Sequence, residues 1–340
     1  MLGLVLYLPA QSQEQKPQTP QSQEQQAQPG QSQEAQPQET QSQETQSQAT
    51  QSQEQQVQAS SYDKAIFQNP IPADQLGFLN KFDGAPADKL LRDKEFRKLM
   101  HNVIPNCMFH YGRDMPLSEA IETVLKGSSL PVHIRDGRYL MVSGNMGPYL
   151  SGRGFIWIDL QDGIVLGGFY FHPTNGEPTP AVNVFSNQVN DEFLALGQLP
   201  PAFAEDMTQW SADSRVPMVT TRYFINGAKK KVLLEHDEDY CATVNGVAVH
   251  SASDCQQMNA DAADIDMDAA SYLEQTHHVT NATAWMITGQ DQIAWLRVRD
   301  NTCRIGVDPL LCRIRITRER VHVIIGRRPI GRPGVRVTRK

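Results

Sequence analysis

The chain holds no apolar run able to cross a bilayer: residues 2–8 form a run of only seven, where a spanning helix needs about 20. Aliphatic side chains are almost absent from residues 11–60, and this local deficit lowers the hydrophobic fraction to 39%. The familiar catalytic loops are missing as well. Gly152-Arg153-Gly154 has neither the Walker pattern nor a following helix, so it is no phosphate loop. There is no Gly-x-Ser-x-Gly elbow and no EF-hand loop. These absences remove the common phosphate-transfer, serine-hydrolase and calcium-sensor classes. Cysteine is scarce, five in 340 residues. Cys107 and His110 have ligand-like spacing without a second pair, so neither a metal nor another cofactor is expected.

What is present begins with a repeat. Gln-Ser-Gln-Glu starts at Gln11, Gln21, Gln31, Gln41 and Gln51, a strict ten-residue period. A decapeptide with almost no apolar residue cannot bury a face, so residues 11–60 are expected to form a disordered tether. As a flexible coil that tether would span about 35–40 Å r.m.s.. Residues 1–10 resemble the end of a signal-peptide apolar region, with Leu8 and Ala10 where a cleavage site would stand, though without the positive start. Together with the cysteines, this leads to the expectation of a protein exported to the bacterial envelope, periplasmic or secreted.

The formal charge of -7 conceals a division: residues 313–340 carry +9 and residues 1–312 carry -16. Residues 326–340 form a basic tail, flexible by its Gly-Arg-Arg-Pro and Gly-Arg-Pro-Gly content. Its Arg327, Arg328, Arg332, Arg336 and Arg339 suit contact with an anionic surface. No aromatic is interleaved for base stacking, so specific nucleic-acid binding is not expected.

Residues 62–250 have the pattern of one α+β domain. Leu90, Leu91, Phe96, Leu99 and Met100 recur on one helical face over 86–103, with Asp88 as its cap. A second helix is expected after Ser118, with Ala120, Ile121, Val124 and Leu125 facing inward and Gly127 just past its end. Strands follow in pairs around Asp136-Gly137, Asp162-Gly163 and Asn226-Gly227, and residues 182–185 add another. Successive hairpins predict a mainly antiparallel sheet with helices packed on one face.

Candidate chemistry in this domain is thin. His172 and Glu177, in a turn-rich loop after a strand, have the residue types of an acid/base pair. His236-Asp237-Glu238-Asp239 offers oxygen ligands, but consecutive residues rarely converge on one ion, and a solvated turn is expected. An envelope hydrolase using His172, Glu177 or His236 is the alternative to a binding function. No catalytic motif supports it, and the chain is not expected to be an enzyme.

In the C-terminal third, Met258, Ala262, Ile265, Ala269 and Tyr272 recur at four- and three-residue steps, one face of a helix. A polar turn containing His277 and His278 leads to a second helix ending near Cys303. The short connection makes the two antiparallel neighbours. A third segment starts near Leu311. The run Asp291-Gln292-Ile293-Ala294-Trp295-Leu296-Arg297-Val298-Arg299-Asp300-Asn301-Thr302-Cys303 is preceded by Gln257-Met258-Asn259 and followed by Cys312, Thr317, Arg318 and Arg320. This order resembles the LprI-type lysozyme-inhibitor module, over roughly 70 residues.

The resemblance implies a disulfide-stabilised helical module at 251–325, in which Met258, Asn259, Trp295, Arg299, Asp300, Thr317 and Arg320 have mainly structural roles. It also implies a basic lysozyme, or another envelope protein, as partner. The cysteine that the family places after Met-Asn is absent: Asp261 stands near that position, and Cys255 precedes it. Trp295 and Arg299, one turn apart, are expected to be a core anchor and its cover. Asp261, Asp264, Asp266 and Asp268 would be the exposed acids for a basic partner.

Four of the five cysteines, Cys241, Cys255, Cys303 and Cys312, fall in this third, where a small helical unit benefits from cross-linking. Cys303–Cys312 across the turn, Cys241–Cys255, and Cys255 with Cys303 or Cys312 are all open pairings. Cys107 remains as a small buried hydrophobe.

Overall fold

The computed structural model describes residues 62–127, 130–145, 152–172, 178, 180–244, 246–277 and 282–326, without the side chains of 244, 277 and 282–288. The leader-like residues 1–10, the repeat at 11–60, Glu177, His278 and the tail with Arg327, Arg328, Arg332, Arg336 and Arg339 lie outside the described residues.

After a short α1 (Ala73–Leu76), the single helix expected over 86–103 is two, α2 (Ala87–Arg92) and α3 (Lys94–Val103). Asp93 makes the break. Its backbone is extended, and its Oδ1 accepts from the amides of Glu95 (2.9 Å) and Phe96 (3.1 Å). A side-chain acceptor for otherwise unpaired amides starts a new helix rather than continuing the old one. Asp88 caps nothing; it sits in the first turn of α2 behind Pro86. A small hairpin of β1 (Met108–His110) and β2 (Asp114–Pro116) leads into α4 (Leu117–Lys126), which buries the expected apolar face and ends at Gly127.

β3 (His133–Arg135) and β4 (Tyr139–Asn145) turn through Asp136 and Gly137, both at positive φ (56° and 64°), as a tight hairpin requires. β5 (Arg153–Asp159) and β6 (Ile164–Phe171) are joined by a wider turn, residues 160–163, held by Asp159 Oδ1 on the amides of Gln161 and Asp162 (both 3.0 Å). Gly163 there has φ 68° and lies against the Ile71 carbonyl, where a Cβ would come within 1.9 Å of the oxygen. β7 (Ala181–Phe185), β8 (Leu194–Ala195), α5 (Pro201–Asp213), β9 (Thr221–Ile225) and β10 (Lys231–Glu235) follow. The β9–β10 connection runs over residues 226–230 rather than two, closed by Asn226 Oδ1 on the Lys230 amide (2.9 Å).

The strands form an eight-stranded sheet in the order β3-β4-β5-β6-β7-β9-β10-β8, antiparallel except at β7–β9 and β8–β10. Helices cover both faces, not one. Along β5, Ile156 and Ile158 join the core under α1–α4, while Phe155 and Trp157 meet Phe203, Met207 and Trp210 of α5 on the opposite side. The β11–β12 hairpin (Thr243–Val244 and Val247–Ala248) then leads to three helices: α6 (Ala252–His277), α7 (Ala282–Arg304) and α8 (Pro309–Ile324). Met267, Ala269, Ala270 and Leu273 of α6 and Val321 of α8 pack on Ala181, Tyr223 and Leu233 of the sheet. The change at residue 250 is therefore one of architecture, from sheet to helices, across a shared apolar core. No described helix is long and apolar enough to cross a membrane.

Candidate functional site

The C-terminal helices hold most of the residues singled out by their sequence pattern. Two disulfides fasten them, Cys241–Cys255 and Cys303–Cys312. The first ties the start of α6 to the segment after β10. Asn259 reinforces this tie, accepting from the Tyr240 amide (3.1 Å) and donating to Asp239 Oδ1 (2.8 Å), with half-buried Met258 beside it. The second closes the turn between α7 and α8. Cys107 is left free and only half-buried, and burial pushes its thiol up.

Between α6, α7 and α8 the signature residues converge. Arg299 is 5% exposed and is held by Asp264 (2.8 Å), Thr317 Oγ1 (3.0 Å) and Asp300 (2.9 Å). Its guanidinium lies 5.5 Å from the Trp295 ring centre, and that of Arg320 lies 5.8 Å from the same ring. One indole between two cations is a stabilising arrangement, strengthened by burial. Arg313 of α8 binds the other oxygen of Asp264. Arg299 is thus more than a cover over Trp295: it is the hydrogen-bonded centre joining all three helices.

The four acids proposed as an exposed face do not form one. Asp266 is 2% exposed, and Asp264 is occupied by Arg299 and Arg313; only Asp261 and Asp268 are exposed. Helical periodicity turns only Asp266 away, since 261, 264 and 268 share a face at three- and four-residue steps; Asp264 is withdrawn from that face by its two arginines.

His236-Asp237-Glu238-Asp239 is a solvated segment only in part: Asp237 and Asp239 are exposed, while His236 and Glu238 turn inward. His236 is 0% exposed, and its amide (2.8 Å) and Nδ1 (2.6 Å) both meet Asp266. Arg318 donates to its carbonyl (3.4 Å), while Glu238 pairs with buried Arg222 (2.6 Å) and Glu235 with His322 (2.9 Å). This ionic junction fastens the end of β10 to α6 and α8. A histidine–carboxylate pair is the start of a general base, but here it is fully enclosed and cannot meet a substrate. His172 is exposed at the end of β6, 3.4 Å from the Tyr170 hydroxyl. Two strands, β7 and β9, separate β6 from β10, placing His172 and His236 about 14 Å apart by strand spacing. The fold does not bring His172 and His236 together, and Glu177 lies outside the described residues.

His110 binds Asp114 through Nδ1 (2.8 Å) and shares with Cys107 the wall of a cavity of about 340 Å³. Among the described residues no group of three or more His, Cys, Asp or Glu side chains is placed to hold a metal ion. The arrangement around α6–α8 supplies a rigid, cross-linked surface rather than a set of reacting groups. Comparison of the chain with protein-family models, curated proteins and solved structures finds no match.

Proposed function

We propose that the chain is an exported cell-envelope binding protein whose C-terminal helices inhibit a basic lysozyme. One observation carries the reading: around the disulfide-closed turn between α7 and α8, apolar side chains stand in water. Ile305, Val307 and Leu311 are all strongly exposed, Val307 completely. A single exposed aliphatic residue needs no explanation, but a cluster on a rigid tip suits a partner surface. Asp261 and Asp300, both exposed, lie close enough to Arg313 to act on it, which places negative charge on the same end of the helices. The border is mixed, with Arg304 and Arg313 beside these carboxylates, so a basic partner would be held by the apolar residues and drawn by Asp261 and Asp300, the latter attraction being stronger at low salt. Two disulfides fit an oxidising compartment, and the Gln-rich repeat would hold the folded part away from an anchoring surface.

The test is direct binding of the oxidised chain to a basic lysozyme, compared with Val307→Asp. The substitution removes no internal contact, so thermal stability stays unchanged while affinity falls about tenfold or more, the loss of one apolar anchor. Undiminished binding by Val307→Asp, or no binding at tens of micromolar, contradicts the reading.

A further inference from the structure

On the face covered by α5, the sheet is open at its β3–β4 end. Tyr139, Met141 and Ser143 of β4 remain partly exposed on that face, while Leu140 and Val142 are fully buried on the other. The result is a groove of about 590 Å³ between β4 and the second half of α5, a size typical of small-molecule sites. Tyr139 stacks on Trp157 (5.6 Å, 16° between rings) and has the Arg135 and Arg138 guanidinium groups 4.9 and 5.0 Å from its ring centre, so it adds an aromatic edge beside cations to the groove.

Its charges are unevenly matched. Asp206 is fully occupied, accepting from Arg135 Nε (3.0 Å) and Trp157 Nε1 (2.7 Å), and Asp213 accepts from Gln209 (2.9 Å). Two further arginines line the groove, Arg153 from β5 and Arg215 from the end of α5, and neither has a carboxylate partner among the described residues. Arg153 rests only over the Tyr170 ring, at 5.5 Å. Trp210, also on the groove wall, is 4% exposed, and its indole N–H is buried without an acceptor. Arg215 is exposed and Arg153 partly exposed, so water solvates both, and an anion entering the groove would meet two cations that no carboxylate already holds.

We propose that this groove binds a small amphipathic anion, a carboxylate or sulfonate on a flat apolar body, neutralised by Arg153 and Arg215 and seated against Tyr139 and Met141. Trp210 stands on the wall with its indole N–H closed off from the groove, and its resonance reports occupancy of the site through the neighbouring ring. The site is independent of the lysozyme reading and stands or falls apart from it.

The experiment titrates the full oxidised chain with 2-naphthoate and with its neutral counterpart 2-naphthylmethanol, following the Trp210 indole N–H resonance, assigned through Trp210→Phe. Saturable one-site binding of naphthoate that moves this resonance is expected, with the alcohol about tenfold weaker, the loss of one charge-assisted contact. Arg153→Gln and Arg215→Gly each weaken naphthoate about fivefold or more. Arg215→Gly relaxes a left-handed backbone position, so its loss of affinity cannot be ascribed to unfolding. No movement at millimolar naphthoate, equal affinity for the alcohol, or unchanged affinity in both arginine variants overturns the proposal.

Discussion

Arg215 occupies a backbone position that glycine normally fills. It follows the last turn of α5 with φ 55°, and the amides of Arg215 and Val216 close onto the carbonyls of Ala212 and Ser211, the Schellman pattern of a helix end. A side chain there costs about 1 kcal/mol relative to glycine. Arg215→Gly is therefore predicted to raise Tm by a few degrees while removing a cation from the groove; a fall in Tm would contradict this account of the cap. The opposite effect belongs to Arg299. Replacing it with Leu leaves Thr317 buried without its donor and Asp264 with one cation instead of two. A loss of about 2–3 kcal/mol is expected in denaturant unfolding.

Acid sensitivity is also a residue-scale property. Burial acts to raise the Glu238 carboxyl, but the Arg222 guanidinium overrides it and holds the group below the ordinary glutamate value of 4.5. A depressed carboxylate pKa contributes stability that is complete above the unfolded value and is lost as pH falls through the folded one. Neighbouring Asp237, raised by burial, works in the other direction, while Tyr240 is pushed up to about 12 and stays neutral throughout. The predicted result is a Tm that falls between about pH 5 and 3, and falls less in Glu238→Gln. Parallel curves for the two proteins would assign the acid response to other groups.

Among elements, the disulfides are the most directly testable. Bridging positions 14 and 9 residues apart corresponds to about 3 and 2.5 kcal/mol in the chain-entropy model. Reduction should lower Tm, and Cys303→Ser with Cys312→Ser should loosen the tip at residues 305–311 without disturbing the sheet, as followed by hydrogen exchange. The hairpins of the sheet were legible because Asp-Gly and Asn-Gly mark local turns, though positive φ falls on both residues only at Asp136-Gly137, on Gly163 alone in the second, and on Lys229 rather than Asn226-Gly227 in the third. The division of α2 from α3 was obscured, since the apolar period continues through Asp93 and only its hydrogen bonding marks a new start. α5 was missed although Pro201 at its first position and Phe203, Met207 and Trp210 at four- and three-residue steps carried the signal. Its omission led to the one-faced sheet. The pairing of His236 with Asp266, and the placing of Arg153 and Arg215 on the walls of one groove, bring together residues 30 and 62 positions apart. No local pattern encodes such contacts; they follow from strand order and helix rotation.

For the whole molecule, the sheet and the C-terminal helices share buried surface through Tyr223, Leu233, Met267 and Val321 and are joined by the His236–Asp266 junction. The described part should unfold in one cooperative transition, with near-UV and far-UV signals coincident. Two separated transitions would show that the helices fold apart from the sheet. A chain ending at residue 250 exposes Ala181, Tyr223 and Leu233, so truncation is a poor way to isolate the role of the helices, and point substitutions at their tip are the better instrument. The central claim, that this tip blocks a basic lysozyme, is tested most directly by measuring lysis of bacterial cell walls by such an enzyme in the presence of the oxidised chain. The account predicts dose-dependent inhibition that weakens with added salt and is lost in Val307→Asp; full lysis at micromolar excess of the chain would contradict it.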